Sequence, residues 1–238
     1  MTELSPKKTA RIAGILYLVI IVSGIVAEFG IRSNLIVPGD AAATASRMMA
    51  SESLFRFSTA SDFVMIASDV ALALFFYLLF KSVSHTLSLL AAFFRLIQAA
   101  ILGMNLLNLF IALNVLKGTF VSALGGEQSY ALASLFLDAH ATGYSIALVF
   151  FGIQCFVLGY LILKSGFLPR VLGILMIFAS LGYLVDSFAN FLLPSYDNFE
   201  TIFALVVFLP AFIGELSLGL WLLIKGVDNN KVSAIPVS

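Results

Sequence analysis

The sequence predicts an all-α fold: a polytopic transmembrane helical bundle with six membrane-spanning helices and a short outer interfacial helix. Composition is the first reason, because 61% of the 238 residues are hydrophobic and only 11% are charged, with a mean hydropathy of +1.07. A soluble domain of this size carries a larger charged shell. The second reason is that apolar runs of about twenty residues recur, the length that crosses roughly 30 Å of hydrocarbon as a helix.

Six apolar segments account for most of the chain, and each is expected to be a helix because lipid offers no partner for free backbone amides. A barrel would instead show short alternating strands. The segments are Ile12–Phe29, Phe57–Phe80, Leu87–Leu116, Tyr130–Leu163, Leu168–Leu193 and Thr201–Ile224. The third and fourth exceed the length that a bilayer requires, so they are expected to tilt or project beyond it.

The basic residues of the connecting segments predict that both termini are cytoplasmic. With the amino terminus inside, eight Lys and Arg residues lie on the cytoplasmic side and four on the far side, and a Lys/Arg excess marks the inside. Residues 1–11 then form a cytoplasmic N-terminus, 12–227 a single transmembrane domain with an outer loop at 30–56, and 228–238 a cytoplasmic tail. The first segment is interpreted as an uncleaved signal-anchor.

The outer loop, VPGDAAATASRMMASESLFR, predicts a short helix on the outer face. Pro38 and Gly39 favour a turn, Asp40 can cap the following amides, and the alanine-rich run is a good helix former. The face toward lipid or protein would carry Ala45, Met48, Met49 and Phe55. Whether this helix is a lid or only a connector is left open.

Arg95 and Glu215 are the central candidate residues, because ionisable groups at mid-bilayer cost about 2.5 to 3.5 kcal/mol each and usually find partners. Arg95 lies ten residues from His85, and Glu215 lies ten residues from Lys225. At about 1.5 Å per residue, both reach a depth of about 15 Å. The shared depth predicts that they pair. Pro210 interrupts the sixth helix shortly before Glu215, where it could support a bend.

Further polar residues extend this site in two layers. Gln154 lies at a depth similar to that of Arg95, and Asp69 lies slightly higher. Gln98 and Asn105 extend the polar face of the helix that carries Arg95, and Asp62, Asp186 and His140 lie further out. Together they predict a polar pocket that narrows from the outside toward Arg95. Three alternatives stay open: Arg95 snorkels to the interface, it forms a purely structural ion pair with Glu215 or Asp69, or the outer acids are helix caps.

Several function classes lack their sequence signals. The formal net charge is zero, there is no P-loop or dinucleotide fingerprint, and no nucleophile set can be assembled, so we expect no nucleic-acid partner, catalytic residue or cofactor. Two histidines exclude a three-histidine zinc site; one histidine with carboxylates stays conceivable, but we assign no metal. Cys155 is the sole cysteine, so no intramolecular disulfide can form.

Four stretches, in order, resemble one protein family. They are RSNLIVPGDAAATASRMMASESLFR, FFRLIQAAILGMNLL, FGIQCFVLGYLILKSGFLPRVLGILMIFASLGYLVDSF and GELSLGLWLLIKGV. Together they resemble the uncharacterised bacterial membrane family called domain of unknown function 4386, over about Lys8 to Val227. The resemblance implies a multi-pass bacterial membrane protein and implies no reaction, substrate or cofactor.

The functional hypothesis is therefore an integral protein of the bacterial cytoplasmic membrane. Its partner is the lipid bilayer, and it binds or transports a small solute, ion or lipid headgroup through the outward pocket, with Arg95 and Glu215 at the floor. The alternatives are a structural or accessory membrane subunit and an intramembrane lipid-modifying enzyme that uses an Asp with His140. The missing nucleophile and metal sets favour binding or transport over an enzyme.

Overall fold

A computed structural model describes residues 4–194, 196 and 200–233 as helices joined by short connections. In chain order the helices are α1 (Pro6–Ile25), a π-helical segment (Val26–Arg32), α2 (Ser33–Leu35), α3 (Ala41–Ala50), α4 (Glu52–Phe80), α5 (His85–Val115), α6 (Gly118–Leu124), α7 (Gly126–Ser165), α8 (Arg170–Leu192), α9 (Glu200–Ile224) and α10 (Asn229–Ser233). The all-α prediction is confirmed for this part of the chain. Residues 234–238 of the predicted tail lie outside the described residues.

Within the described residues, five helical stretches are long and apolar enough to cross a membrane, and they indicate a multi-pass membrane protein. They are Pro6–Leu35, Glu52–Phe80, His85–Val115, Gly126–Ser165 and Arg170–Leu192. The sixth predicted segment also forms a helix, α9, within which Leu209–Ile224 is a shorter apolar stretch. Pro210 lies inside α9, which continues on both sides of it.

Several helices begin or end beyond the apolar segments seen in the sequence. Helix α4 begins at Glu52 rather than Phe57, and the first turn is supported by an ion pair in which Arg56 Nε lies 2.7 Å from Glu52 Oε1. Such i,i+4 pairs extend a helix past its apolar stretch. The predicted outer loop 30–56 is consequently mostly helical. Helix α8 begins directly after Pro169, which is in an extended conformation with φ −60° and ψ 131°.

The chain divides into two compact units. The first comprises the described residues of Met1–Val19, Ser68–Ala99 and Ser145–Ser238. Within it, α8 packs along α9, and α7 meets α8 where a Cβ added to Gly159 would lie 2.8 Å from the carbonyl oxygen of Gly173. Helix α1 meets α9 in the same way, because a Cβ on Gly14 would lie 2.5 Å from the backbone nitrogen of Leu223. Small residues thus permit backbone-to-backbone packing.

The second unit comprises Ile20–Ala67 and Ala100–Tyr144. Its core is apolar and is formed by buried side chains from the π-helical segment, α3, α4, α5 and α7, among them Ile31, Met48, Phe55, Leu109, Leu113 and Leu137.

Helix α3 of this unit forms as expected. The Asp40 side chain accepts a hydrogen bond from the amide of Ala43 at 2.8 Å, which confirms the predicted cap. Ala45 and Met48 are buried, whereas Met49 is 40% exposed. The position of α3 on a membrane surface stays a prediction.

Candidate functional site

Arg95 lies on α5 within the first unit and is among the largest fully buried side chains described, with 1% exposure. Its Nη2 lies 2.6 Å from Oδ1 of Asp69 on α4, although the two atoms are not aligned for a hydrogen bond. Its Nη1 donates to Oε1 of Gln154 on α7 at 3.2 Å. Gln98, one turn along α5, donates to the other Asp69 oxygen at 3.3 Å. Three helices therefore meet at one guanidinium.

Aromatic rings enclose the same guanidinium. Its central carbon lies 5.3 Å from the ring centroid of Tyr17, 5.8 Å from that of Phe76 and 5.3 Å from that of Phe151. The quadrupole of an aromatic face attracts a cation at these distances. The Nε atom has no hydrogen-bond partner in the part of the chain that is described. The three rings thus stabilise the Arg95 guanidinium, whose N–H groups are only partly satisfied by hydrogen bonds.

Glu215 on α9 is the second buried acid of this unit, with 7% exposure. The Tyr183 hydroxyl on α8 donates to its Oε1 at 2.5 Å. Arg95 is close enough to interact electrostatically with it, yet the described residues place no cationic side chain in an ion pair with Glu215. We call Tyr17, Asp69, Arg95, Gln98, Gln154, Tyr183 and Glu215 the Arg95 cluster. It contains two carboxylates and one guanidinium.

The predicted pairing of Arg95 with Glu215 differs from the ion pair observed, whose carboxylate is Asp69. Counting residues along a helix gives the depth of a side chain but not its rotation about the helix axis. Asp69 was placed slightly higher than Arg95 by depth, yet its direction on α4 makes it the carboxylate in contact. The structural alternative in the sequence analysis did include Asp69 as a partner.

A separate ionic group lies in the second unit. Arg32 ends the π-helical segment and is 2% exposed. Its Nη1 lies 2.5 Å from Oδ2 of Asp62 and its Nη2 3.3 Å from Oδ1, while its Nε lies 2.8 Å from Glu28 Oε2. Asp62 was a predicted site residue, whereas Arg32 was assigned to a loop. The spacing of Glu28 and Arg32, four residues apart, was the signal for a helical pair.

The other predicted site residues have partners of their own. Asn105 donates to the carbonyl oxygen of His140 at 2.8 Å, and the His140 ring centroid lies 6.3 Å from that of Tyr144. Asp186 accepts a hydrogen bond from the Tyr196 hydroxyl at 2.7 Å. Each of these contacts joins only two residues, and the outward pocket that would bring Asn105, His140 and Asp186 together stays a prediction.

Neither Tyr17 nor Tyr183 was singled out in the sequence. Tyrosine usually lies at the ends of membrane helices, where its hydroxyl reaches water. Both residues instead lie well inside their helices, α1 and α8, and that position was the available signal. Among the described residues, no group of three or more His, Cys, Asp or Glu side chains could hold a metal ion.

Comparison with known proteins decides the family. The family model described as "Domain of unknown function (DUF4386)" matches residues 12–226. The chain belongs to this family. This DUF4386 chain is also similar to an "Uncharacterized protein" from Archaeoglobus fulgidus. The two are 31% identical over 180 residues, which cover 76% of this chain and 90% of that protein. No solved structure matches it. The resemblance expected from the sequence is confirmed, and the DUF4386 description names no activity.

Proposed function

We propose that this DUF4386 protein crosses the cell membrane six times, with both termini in the cytoplasm, and binds or transports a small ion or solute. The five apolar helical stretches and the additional helix α9 support six spans. The excess of Lys and Arg on one side supports the orientation. The bound ion or solute is exchanged at the Arg95 cluster.

The charge balance of that cluster carries the proposal. Asp69 and Arg95 form an ion pair at 2.6 Å with side-chain exposures of 2% and 1%, so together they are neutral. Glu215 is also buried, at 7% exposure, and its Oε1 accepts a hydrogen bond from a tyrosine hydroxyl, while the described residues place no cation in an ion pair with it. Burying an uncompensated carboxylate is costly, so buried acids are paired with a cation or hold a proton.

Glu215 therefore carries a proton in this arrangement, and loss or gain of that proton changes the net charge around Arg95. Proton relays in pumps and transporters are built from buried acids of this type. A proton on Glu215 gives the protein an exchangeable ion at a site reached by α1, α4, α5, α7, α8 and α9. Movement of a second solute would be coupled through Arg95, because deprotonation of Glu215 adds a second negative charge near its guanidinium.

Infrared spectroscopy of the purified protein in lipid tests the proton directly. The wild type should show the C=O stretch of a protonated carboxyl group at neutral pH, and Glu215→Gln should remove that band. Glu127→Gln is the matched control, because Glu127 is an exposed acid at the start of α7. A band that survives Glu215→Gln, or that is absent in the wild type, contradicts the assignment.

Transport is tested in proteoliposomes that contain a pH-sensitive dye. Under an imposed potential, or with candidate solutes outside, wild type and Glu127→Gln should acidify the lumen faster than protein-free vesicles. Glu215→Gln should match the protein-free rate while eluting as a folded species. Equal acidification by wild type and Glu215→Gln would reject Glu215 as the exchange site.

A structural or accessory subunit is the second candidate, favoured by the burial of Arg95 among three aromatic rings. Replacing a buried pair by apolar residues of similar volume is often neutral for stability. On this reading, the double variant Arg95→Met with Asp69→Leu stays folded and behaves as the wild type in every transport assay. A folded double variant without proton flux would instead favour the exchange site.

The lipid-modifying alternative has less support. It requires an aspartate beside His140, whereas the described partner of Asp62 is Arg32 and that of Asp186 is Tyr196. An unchanged lipid profile in a deletion strain would count against an enzyme of this type.

A further inference from the structure

A polar cleft of about 510 Å³ lies in the first unit, where the start of α1 meets the chain segment that follows α9. This volume is within the range of about 300 to 1,000 Å³ that small ligands occupy. The polar and aromatic side chains that line it are Lys7, Phe167, Trp221, Lys225, Asp228, Asn229 and Asn230. The cleft is separate from the Arg95 cluster, because none of these residues belongs to that cluster.

Backbone contacts hold the two walls of the cleft together. The amide nitrogen of Lys7 donates to the Asn229 side-chain oxygen at 2.9 Å. Gly226 has a φ of 65°, in the left-handed region that favours glycine. A Cβ on Gly226 would lie 3.3 Å from Cγ of Lys7, so the lysine stem packs closely over the turn. These two contacts connect the start of α1 to the turn after α9.

The cleft has an excess of positive charge. Neither Lys7 nor Lys225 forms an ion pair with another residue in the described ranges. Asp228 also lines the cleft, but its Oδ1 accepts a hydrogen bond from the backbone amide of Asn230 at 2.9 Å, which orients that carboxylate toward its own turn. Two unpaired ammonium groups against one locally bonded carboxylate favour an anionic ligand.

The position of the cleft favours a lipid over a soluble anion. It lies at the first residues of α1, which begins at Pro6 and continues into an apolar stretch long enough to span a bilayer. Trp221, four residues before Lys225, contributes an indole ring with an apolar body and one N–H donor, the combination found at headgroup level. Basic clefts at the ends of membrane helices bind the headgroups of anionic lipids.

We infer that this cleft binds the phosphate-containing headgroup of an anionic phospholipid, with Lys7 and Lys225 as the phosphate-binding cations and Trp221 at the boundary to the acyl region. This inference does not depend on Glu215 or on any transport activity. Each lysine near an anionic headgroup contributes about fivefold in affinity, so removal of both charges should weaken retention about 25-fold.

Native mass spectrometry of the full-length protein tests the site with phosphatidylglycerol as the probe. Protein in micelles that contain equal amounts of phosphatidylglycerol and phosphatidylcholine should retain phosphatidylglycerol. The double variant Lys7→Gln with Lys225→Gln should lose about 25-fold of that retention. The control is Lys8→Gln with Lys81→Gln, which removes the same charge from exposed lysines outside the cleft and should stay within about twofold of wild type.

Three results would overturn the inference. Equal losses in the two double variants would mean that general surface charge, and not the cleft, attracts the lipid. Unchanged retention in Lys7→Gln with Lys225→Gln would mean that the lipid binds elsewhere. Displacement of the lipid by glycerol phosphate at equal concentration would mean that the cleft takes a soluble phosphate ester. Gel filtration of both double variants confirms that they are folded before retention is compared.

Discussion

Asp69 and Glu215 both interact electrostatically with Arg95, so replacing them should give a strongly non-additive loss of stability. The three variants are Asp69→Asn, Glu215→Gln and the double variant. In Asp69→Asn the guanidinium loses the carboxylate at 2.6 Å, but Glu215 can release its proton and become the counterion. In Glu215→Gln the pair with Asp69 is intact, and an amide oxygen can still accept from Tyr183.

The magnitudes follow from burial. Removing one partner of a buried ion pair costs about 3 to 5 kcal/mol when nothing replaces it. With Glu215 available, we expect Asp69→Asn to lower the free energy of unfolding by about 1 to 2 kcal/mol. Glu215→Gln should cost about 0.5 kcal/mol because the hydrogen bond is kept. The double variant leaves Arg95 without an anion and should cost about 3 to 5 kcal/mol, a coupling of about 2 kcal/mol.

Cys155 supplies the assay. It is the sole cysteine, it is fully buried, and it follows Gln154 of the Arg95 cluster. Its modification by a fluorescent maleimide during SDS titration in micelles therefore reports unfolding around Arg95. Glu127→Gln with Asp228→Asn, two exposed acids, should be additive. Additive losses for Asp69→Asn and Glu215→Gln, within about 0.5 kcal/mol, would refute the idea that the two acids share one cation.

Three further outcomes are expected. Gly14→Ala places a Cβ 2.5 Å from the backbone nitrogen of Leu223, so it should lower the SDS midpoint at a cost of about 1 to 3 kcal/mol. Among the described residues, a Cβ on Gly103 would have no atom outside its own stretch of helix within 4 Å, so Gly103→Ala should be neutral or stabilising. Equal midpoints for the two variants would contradict the close contact between α1 and α9. Asp40→Ala removes the α3 cap and should cost about 1 kcal/mol in an SDS titration followed by circular dichroism, and Asp40→Ser should restore most of it. Arg32→Lys cannot reproduce the fork that reaches two carboxylates, so it should cost about 1 to 3 kcal/mol, and unchanged stability would argue against that fork.

The helices could be predicted from the sequence because lipid imposes a simple rule. A long apolar run has no alternative to intrasegment hydrogen bonds, so the segments in α4, α5, α7 and α8 were found close to their observed positions. Their ends were less predictable. Glu52 and Arg56 look like loop residues in a hydropathy count, yet their mutual ion pair supports the first turn of α4.

The polar contacts were predicted only in part. The spacing of Gln98 from Arg95, three residues, placed both on one face of α5, and both contact Asp69. The rotation of α4 and α9 about their own axes is set by packing, which apolar runs do not encode. That is why Asp69, rather than Glu215, supplies the carboxylate. The aromatic enclosure of Arg95 was missed because phenylalanine is abundant throughout the chain, with 23 residues.

The hydrogen bond from Lys7 to Asn229 joins residues 222 positions apart. A ribosome delivers α1 to the membrane long before Asn229 is synthesised, because domains emerge from their amino-terminal end first. Until Asn229 has been synthesised, the backbone amide of Lys7 must therefore hydrogen-bond to water or to a lipid headgroup instead. The bond can therefore form only after α9 has been synthesised, and a chain that stops before α10 leaves the Lys7 amide without this partner.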